Sequence, residues 1–169
     1  AFTKTKAGGW GYDIVGQGMK INLADVNAAI GLAQIRQYEN LLQERKRVFN
    51  TYAKAFANSD WAITPPATSG IKESSYHVYA LRIKGITEEQ RDAIIQEISK
   101  NEVAVNVHFI PMPMLTLFKG MGYDIKDYPQ AYKNYAHEIS LPVYPQLTEE
   151  EVLFVAGTVI KAYETVIKK

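Results

Sequence analysis

Residues 23–57 contain no proline, and helix-forming residues dominate the stretch. In its second half apolar side chains recur every three or four residues, which predicts one buried helix face. A straight helix of this length would span roughly 50 Å. Gly31 lies within the stretch and is a site for a bend. We therefore predict two helices or one bent helix here.

The first 22 residues differ from the rest, because they carry five of the 11 glycines. Residues that favour β-structure lie between the glycines, among them Trp10, Tyr12 and Ile14. Glycine clusters between short β-prone runs predict a hairpin or an extended arm. An isolated hairpin is only marginally stable in water, so we expect this arm to rest on something outside itself, as in the middle of a larger fold.

The remainder of the chain predicts short strands that alternate with helices, which is typical of an α+β fold with a small sheet. Two capping boxes, at Thr87 and Thr148, mark helix starts. The predicted elements are a strand over 76–83, a helix after Thr87, a strand over 103–109, a short helix near 115–119, a helix over 128–138, an extended segment over 140–145 and a final helix after Thr148.

Composition excludes several classes of protein. A length of 169 residues suits one domain, and 19 basic against 18 acidic residues give a net charge of +1, which argues against a nucleic-acid or membrane-surface partner. No apolar run approaches the ~18 residues of a membrane span. The absence of cysteine favours a reducing compartment, so we expect a cytoplasmic protein.

The three histidines do not form a metal-binding pattern, and no metal site is predicted. His137 lies in a polar stretch and is expected to be a solvated surface residue. His77 lies in a predicted strand and is expected to be structural. His108 ends a predicted strand before a proline-rich loop, where ligand contacts are common, so a ligand contact and a structural role are equally supported.

Lys20 and Asn22 lie two residues apart in a segment that leads into the long helix. In extended backbone their side chains share a face, and a cation with an amide beside a helix N-terminus can bind phosphate. The alternative is that Asn22 is only the N-cap of the helix and Lys20 only a solvated charge. Residues 45–47, with three consecutive basic side chains, are expected to form a solvated face.

The order of motifs resembles a known family across nearly the whole chain. Residues 16–35, GQGMKINLADVNAAIGLAQI, are similar to the segment after the hairpin in the DegT/DnrJ/EryC1/StrS family of pyridoxal phosphate-dependent nucleotide-sugar aminotransferases. The resemblance continues in order through residues 44–47, 75–79, 107–111, 122–123, 128–131 and 139–145.

This resemblance implies an α+β fold, the small C-terminal domain of a fold type I transferase, preceded by a hairpin arm and a long linking helix. The expected divisions are an arm over 1–22, a linking helix or helices over 23–60 and a small domain over 61–169. In the family the Schiff-base lysine lies upstream of the hairpin, so no catalytic residue is assigned in this chain. We expect the chain to be inactive by itself.

The resemblance also implies roles for particular residues. Asn22 would contact the phosphate of pyridoxal phosphate held by the neighbouring subunit of a homodimer, and Lys20 would assist through its charge. Glutamate would be the amino donor. A loop would line the nucleotide-sugar pocket, and its residues are His108, Phe109, Ile110, Pro111 and Met112.

The chain departs from the family pattern at two positions. Pro113 stands where a second histidine is common, and Tyr132 stands where a glutamate is common. Both changes bear on which sugar is bound. Two other functions are compatible with the sequence: a sugar dehydratase of the same family, and a non-catalytic module for dimerisation or nucleotide-sugar binding.

Overall fold

The computed structural model describes residues 2–4, 12–14, 16–17, 19 and 21–168. The chain divides into two compact units, Ala1–Tyr38 and Glu39–Lys169.

In the first unit, strand β1 (Phe2–Lys4) pairs antiparallel with strand β2 (Tyr12–Ile14), which confirms the predicted pairing within the arm. Helix α1 (Asp25–Ala55) begins in this unit and ends in the second. Of the two alternatives predicted for this stretch, two separate helices are wrong and a single helix forms, because one glycine costs only about 1 kcal/mol and the other residues favour the helix. Asn22 precedes the helix by three residues, so it is not the N-cap.

The second unit contains a three-stranded antiparallel sheet with the order β3-β6-β7 and a separate two-stranded pair, β4-β5. The strands are β3 (Ala62–Ile63), β4 (Thr68–Ser69), β5 (Lys72–Glu73), β6 (Tyr79–Ile83) and β7 (Glu138–Leu141). The helices are α2 (Glu88–Ser99), α3 (Thr116–Gly120), α4 (Pro129–Ala136) and α5 (Glu149–Ile167), with 3-10 turns at Met112–Met114 and Ile125–Asp127.

One hydrophobic core joins the second half of α1 to the sheet and to helices α2 and α5. Aromatic rings of α1 pack against β6; the centroids of Phe49 and Tyr79 are 4.7 Å apart. Both predicted capping boxes are present, at Thr87 and at Thr148. The α+β arrangement predicted from the sequence is therefore confirmed.

Two strand predictions need correction. Strand β6 begins at Tyr79 rather than at residue 76, because Tyr76 has a φ of 52°, which a strand does not accommodate. Residues 103–109 form a single bridge between Asn106 and Ser140 rather than a strand. The next two backbone N–H groups bond to side-chain oxygens and not to a neighbouring strand. The Val107 N–H donates to Oδ1 of Asn106, and the His108 N–H donates to the Glu138 carboxylate.

One helix prediction was too long. Helix α4 starts at Pro129, as the preference of proline for the first turn predicts, but it ends at Ala136. Glu138 belongs to β7, where it pairs with Arg82 of β6. The strand therefore starts two residues earlier than the extended segment predicted from residue 140.

Candidate functional site

A cleft of about 410 Å³ lies where the segment before the proline-rich loop meets β7. The side chains of His77, Asn106, His108 and Ser140 contribute its polar lining, and apolar residues of the same segments complete it. The bridge between Asn106 and Ser140 holds the two walls together through backbone bonds of 2.7 and 3.2 Å. The cleft is thus bounded by polar groups from three segments that are distant in sequence.

All four residues of strand β7 are buried. Since alternate residues point to opposite sides of a strand, both faces of β7 are buried. Ile139 and Leu141 belong to the hydrophobic core. Glu138 and Ser140 lie on the other face and are 5% and 4% exposed. A buried polar face needs internal hydrogen bonds, and residues of the adjacent segment supply them.

Hydrogen bonds join Glu138, Ser140 and His108. The Ser140 hydroxyl donates to Oε1 of Glu138. The backbone N–H of His108 donates to Oε2 of Glu138 over 3.0 Å. Nδ1 of the His108 ring lies 2.8 Å from Oγ of Ser140. The bond with Ser140 Oγ holds the Nδ1 edge of the imidazole, and the bond from the His108 N–H to Glu138 holds its backbone, while the residue is otherwise exposed.

Burial raises the pKa of the Glu138 carboxyl above its ordinary value. Hydrogen bonds from the Ser140 hydroxyl and the His108 N–H oppose this rise, as do the charges of His108 and Arg91. The Arg91 guanidinium bonds the backbone of this region: Nη1 donates to the Tyr135 carbonyl over 2.8 Å and to the Glu138 carbonyl over 3.3 Å. Arg91 therefore connects α2 to the first residue of β7 and to the end of α4.

The other two histidines differ from their predicted environments. His77 was predicted to be a structural strand residue, but it is exposed, precedes β6 and lines the cleft. His137 was predicted to be solvated, but it is half-buried at the C-terminus of α4. Burial lowers the pKa of His137, and Lys133 adds to the effect.

The loop predicted to bind substrate divides between two clefts. His108 lines the cleft beside β7, whereas Pro111 and Met112 line a second, apolar cleft of about 350 Å³ with Phe118 and tyrosine side chains. Phe109 is 76% exposed, and its ring meets that of His108 edge-on at 4.7 Å. Ile110 is also exposed. The loop thus presents apolar side chains next to a polar cleft.

The predicted phosphate-binding residues belong to the first unit. Lys20 lies outside the described residues. Asn22 is exposed, and its amide has no hydrogen-bond partner within the described ranges. It lies just before α1, whose first-turn N–H groups carry partial positive charge. An exposed amide donor in this position fits a phosphate group, although Asp25 adds a negative charge nearby in sequence.

Arg47 was expected on a solvated face, but the structure gives it a defined role. Its Nη2 donates to the Leu147 carbonyl over 2.6 Å, and its Nε donates to Glu44 over 3.0 Å. The side chain thereby holds the loop that follows β7 against α1. The sequence contained no local signal for this contact, since the two residues are 100 positions apart.

The structure describes no helix that is long and apolar enough to cross a membrane. In the part of the chain that the structure describes, no three or more His, Cys, Asp or Glu side chains come together as metal ligands.

The fold is similar to that of solved sugar aminotransferases. A putative sugar aminotransferase of Streptococcus pneumoniae, Spr1654, solved in its PMP form, is 39% identical, has a TM-score of 0.85 and matches 94% of this chain and 40% of its own. Its PLP form has a TM-score of 0.84 and matches 95% of this chain and 41% of its own.

The chain belongs to the DegT/DnrJ/EryC1/StrS aminotransferase family, whose model matches residues 3–160. The membership predicted from the sequence is thereby confirmed.

Two curated relatives are similar over almost the whole chain. The spore coat polysaccharide biosynthesis protein SpsC of Bacillus subtilis is 28% identical over 95% of this chain and 41% of its own length. The UDP-4-amino-4,6-dideoxy-N-acetyl-beta-L-altrosamine transaminase of Campylobacter jejuni is 26% identical over 94% of this chain and 42% of its own. The chain spans about 40% of the length of the curated relatives it matches.

Proposed function

We propose that the whole protein is a pyridoxal phosphate-dependent aminotransferase that acts on a nucleotide-linked keto-sugar. The family membership supports this, as does the 39% identity to a putative sugar aminotransferase solved in PLP and PMP forms. The observation that carries the proposal is the cleft beside β7, where a fixed imidazole meets a volume of about 410 Å³. Such a volume is typical of a small-ligand pocket.

In this proposal His108 contacts the sugar through the edge of its ring that faces the cleft. Sugars expose hydroxyl and amide groups, and imidazole nitrogens bond to both. The neighbouring side chains Phe109, Ile110, Pro111 and Met112 form an apolar rim for the less polar faces of the substrate. The chain departs from the family pattern at Pro113, which lines the apolar cleft, and at Tyr132, which lines a separate small pocket; we propose that both bear on the choice of sugar.

Pyridoxal phosphate, when bound, supplies the electron sink that allows an amino group to move between a donor and the keto-sugar. The Asn22 amide would donate to an oxygen of its phosphate group, and the N–H groups of the first turn of α1 would add partial positive charge. Lys20 is predicted to add a full charge. No lysine of this chain is proposed for the covalent link to the cofactor, so we propose that the chain does not transaminate by itself.

The partners follow from the same reasoning. We propose a homodimer in which the arm reaches the phosphate site of the neighbouring subunit, with glutamate as the amino donor. A cytoplasmic location stays a prediction from the sequence.

The test uses the whole protein. We expect glutamate to convert the bound cofactor to its amino form, seen by absorbance, and a UDP-linked 4-keto sugar to convert it back with an amino sugar as product, seen by mass spectrometry. Asn22→Ala is expected to weaken cofactor binding about tenfold, the effect of one hydrogen bond to a charged group. Asn50→Ala, an exposed asparagine of α1, is the matched control.

The two alternatives give different products. A dehydratase would release a deoxygenated sugar without incorporating nitrogen from glutamate. A non-catalytic module would bind the nucleotide-sugar as a dimer without pyridoxal phosphate. Either result would contradict the aminotransferase proposal.

A further inference from the structure

The Ser140 hydroxyl lies between a carboxylate and an imidazole. Its oxygen contacts Oε1 of Glu138 on one side and is 2.8 Å from Nδ1 of His108 on the other. A serine hydroxyl carries one proton, so it can donate to only one of these neighbours. The direction of that donation decides which nitrogen of His108 carries a proton.

The second oxygen of Glu138 helps to fix the direction. Oε2 accepts from the backbone N–H of His108 over 3.0 Å, and a backbone N–H can only donate. Above the pH range in which Glu138 is protonated, both of its carboxylate oxygens are acceptors and Ser140 donates to Oε1. The Ser140 oxygen then accepts from His108, which requires a proton on Nδ1. In the neutral ring Nε2 is left as an acceptor.

We propose that Glu138 and Ser140 are positioning residues that keep the proton of neutral His108 on Nδ1, so that Nε2 is presented to the cleft as the acceptor for a hydroxyl or amine of the substrate. The claim that Nε2 accepts from the substrate rests on the proposed function. The claim that the proton of neutral His108 lies on Nδ1 is independent of it.

The surroundings of Glu138 support this role. The carboxylate is buried, yet none of the described lysine and arginine side chains forms an ion pair with it. Arg91, which is 2% exposed, bonds the backbone oxygen of Glu138 and pairs instead with Glu88 and Asp92. A buried carboxylate without a paired cation costs stability, and its described side-chain contacts are with Ser140 and His108.

The second feature that supports the proposal is Nε2 of His108. Within the described ranges Nε2 of His108 has no hydrogen-bond partner, and the ring lines the cleft that Asn106 and His77 share. An acceptor nitrogen in such a place recognises a donor and rejects a group that can only accept. The arrangement therefore selects a sugar hydroxyl or amine over a carbonyl at this position.

Nuclear magnetic resonance of the imidazole nitrogens tests the assignment directly. The whole protein is labelled with ¹⁵N-histidine and recorded at about pH 8.5, two units above the ordinary pKa of histidine. His108→Gln assigns the signals. We expect Nδ1 of His108 to be the protonated nitrogen. In Glu138→Gln the introduced amide can donate to Ser140, whose hydroxyl then donates to Nδ1, so the proton should move to Nε2.

Glu150→Gln is the matched control, because Glu150 is exposed on α5, and it should leave the His108 signals unchanged. The positioning role is overturned by a native His108 protonated on Nε2, or by a Glu138→Gln variant that keeps the proton on Nδ1. Should Glu138→Gln not fold, Ser140→Ala replaces it: we expect a mixture of both tautomers, and an unchanged Nδ1 proton would overturn the role.

Binding separates this proposal from the proposed function. The probe is UDP-4-amino-4,6-dideoxy-N-acetyl-beta-L-altrosamine, titrated by calorimetry. We expect Glu138→Gln to weaken binding about tenfold, because a ring donor then meets a substrate donor. Unaltered affinity in a variant whose tautomer has changed would overturn the substrate part. No binding to the native protein would overturn the proposed function, whatever the tautomer of His108.

Discussion

The two faces of β7 are equally buried and chemically opposite. Ile139 and Leu141 are 0% and 3% exposed on the core side, and Glu138 and Ser140 are 5% and 4% exposed on the other. Burial of the apolar pair removes hydrocarbon from water and stabilises the fold. Burial of the polar pair costs solvation that hydrogen bonds only partly return. The core face therefore provides stability, and the polar face provides orientation for His108.

The largest effect should come from the core face. Ile139→Ala removes a fully buried side chain and should lower the free energy of unfolding by about 3 kcal/mol, measured by urea denaturation. Ser140→Ala, on the opposite face of the same strand, should cost about 1 kcal/mol. Equal losses of unfolding free energy in Ile139→Ala and Ser140→Ala would refute the difference between the two faces.

The next effect concerns the residue that holds the start of β7. Arg91→Met keeps much of the buried volume but removes the guanidinium that donates to the carbonyls of Tyr135 and Glu138. We expect a loss of about 2 kcal/mol, measured by thermal unfolding. Arg36→Met, at an exposed position of α1, is the control and should change little. Equal stability of the two variants would mean that Arg91 does not anchor the strand.

Removal of a helix cap that is not part of either face of β7 should have a smaller effect on stability. Thr148 closes the first turn of α5 by accepting from the Glu151 N–H over 3.2 Å. Thr148→Ala should cost about 1 kcal/mol, and Thr148→Ser should restore most of it. Denaturation of both variants checks this. Failure of serine to restore stability would show that the methyl group, and not the cap, is responsible.

The smallest expected effect is a change in pH dependence. Burial raises the pKa of Glu138, so the folded state holds the proton more tightly than the unfolded state. Stability should fall as the pH rises from the ordinary carboxyl range to the raised pKa of Glu138. Glu138→Gln removes this fall, so its stability relative to the native protein should increase with pH across that window.

Glu151→Gln is the control of opposite sign. Hydrogen bonds from Thr148 lower the pKa of the Glu151 carboxyl, so this residue contributes stability that is lost as the pH falls through the lowered pKa. The stability of Glu151→Gln relative to the native protein should therefore decrease as the pH rises. If the stabilities of Glu138→Gln and Glu151→Gln relative to the native protein changed with pH in the same direction, the opposite pKa shifts assigned to Glu138 and Glu151 would be contradicted.

Local signals predicted much of the fold. The Thr87 and Thr148 capping boxes and Pro129 each start a helix where the sequence placed it. Apolar spacing predicted a buried face on the second half of α1, and Phe49 and Tyr52 of that face are buried. These predictions succeeded because each depends on residues within four positions of one another.

The polar face of β7 was missed for the opposite reason. Glu138 was assigned to the end of a helix, although residues 138–141 alternate polar and apolar side chains as a strand does. His108 was singled out, but its partners Glu138 and Ser140 are 30 and 32 residues away. Contacts at that distance depend on how the chain folds back, which no local pattern records. The roles of Asn22 and of Phe109, Ile110, Pro111 and Met112 stay predictions.

A crystal structure of the whole protein with the amino-sugar nucleotide bound would test the role of the polar face most directly. We expect the sugar in the cleft beside β7, with one of its hydroxyl or amino groups about 3 Å from Nε2 of His108. Glu138 and Ser140 should keep their contacts with that ring. A sugar bound elsewhere, with the His108 ring turned into solvent, would contradict the assignment of this cleft.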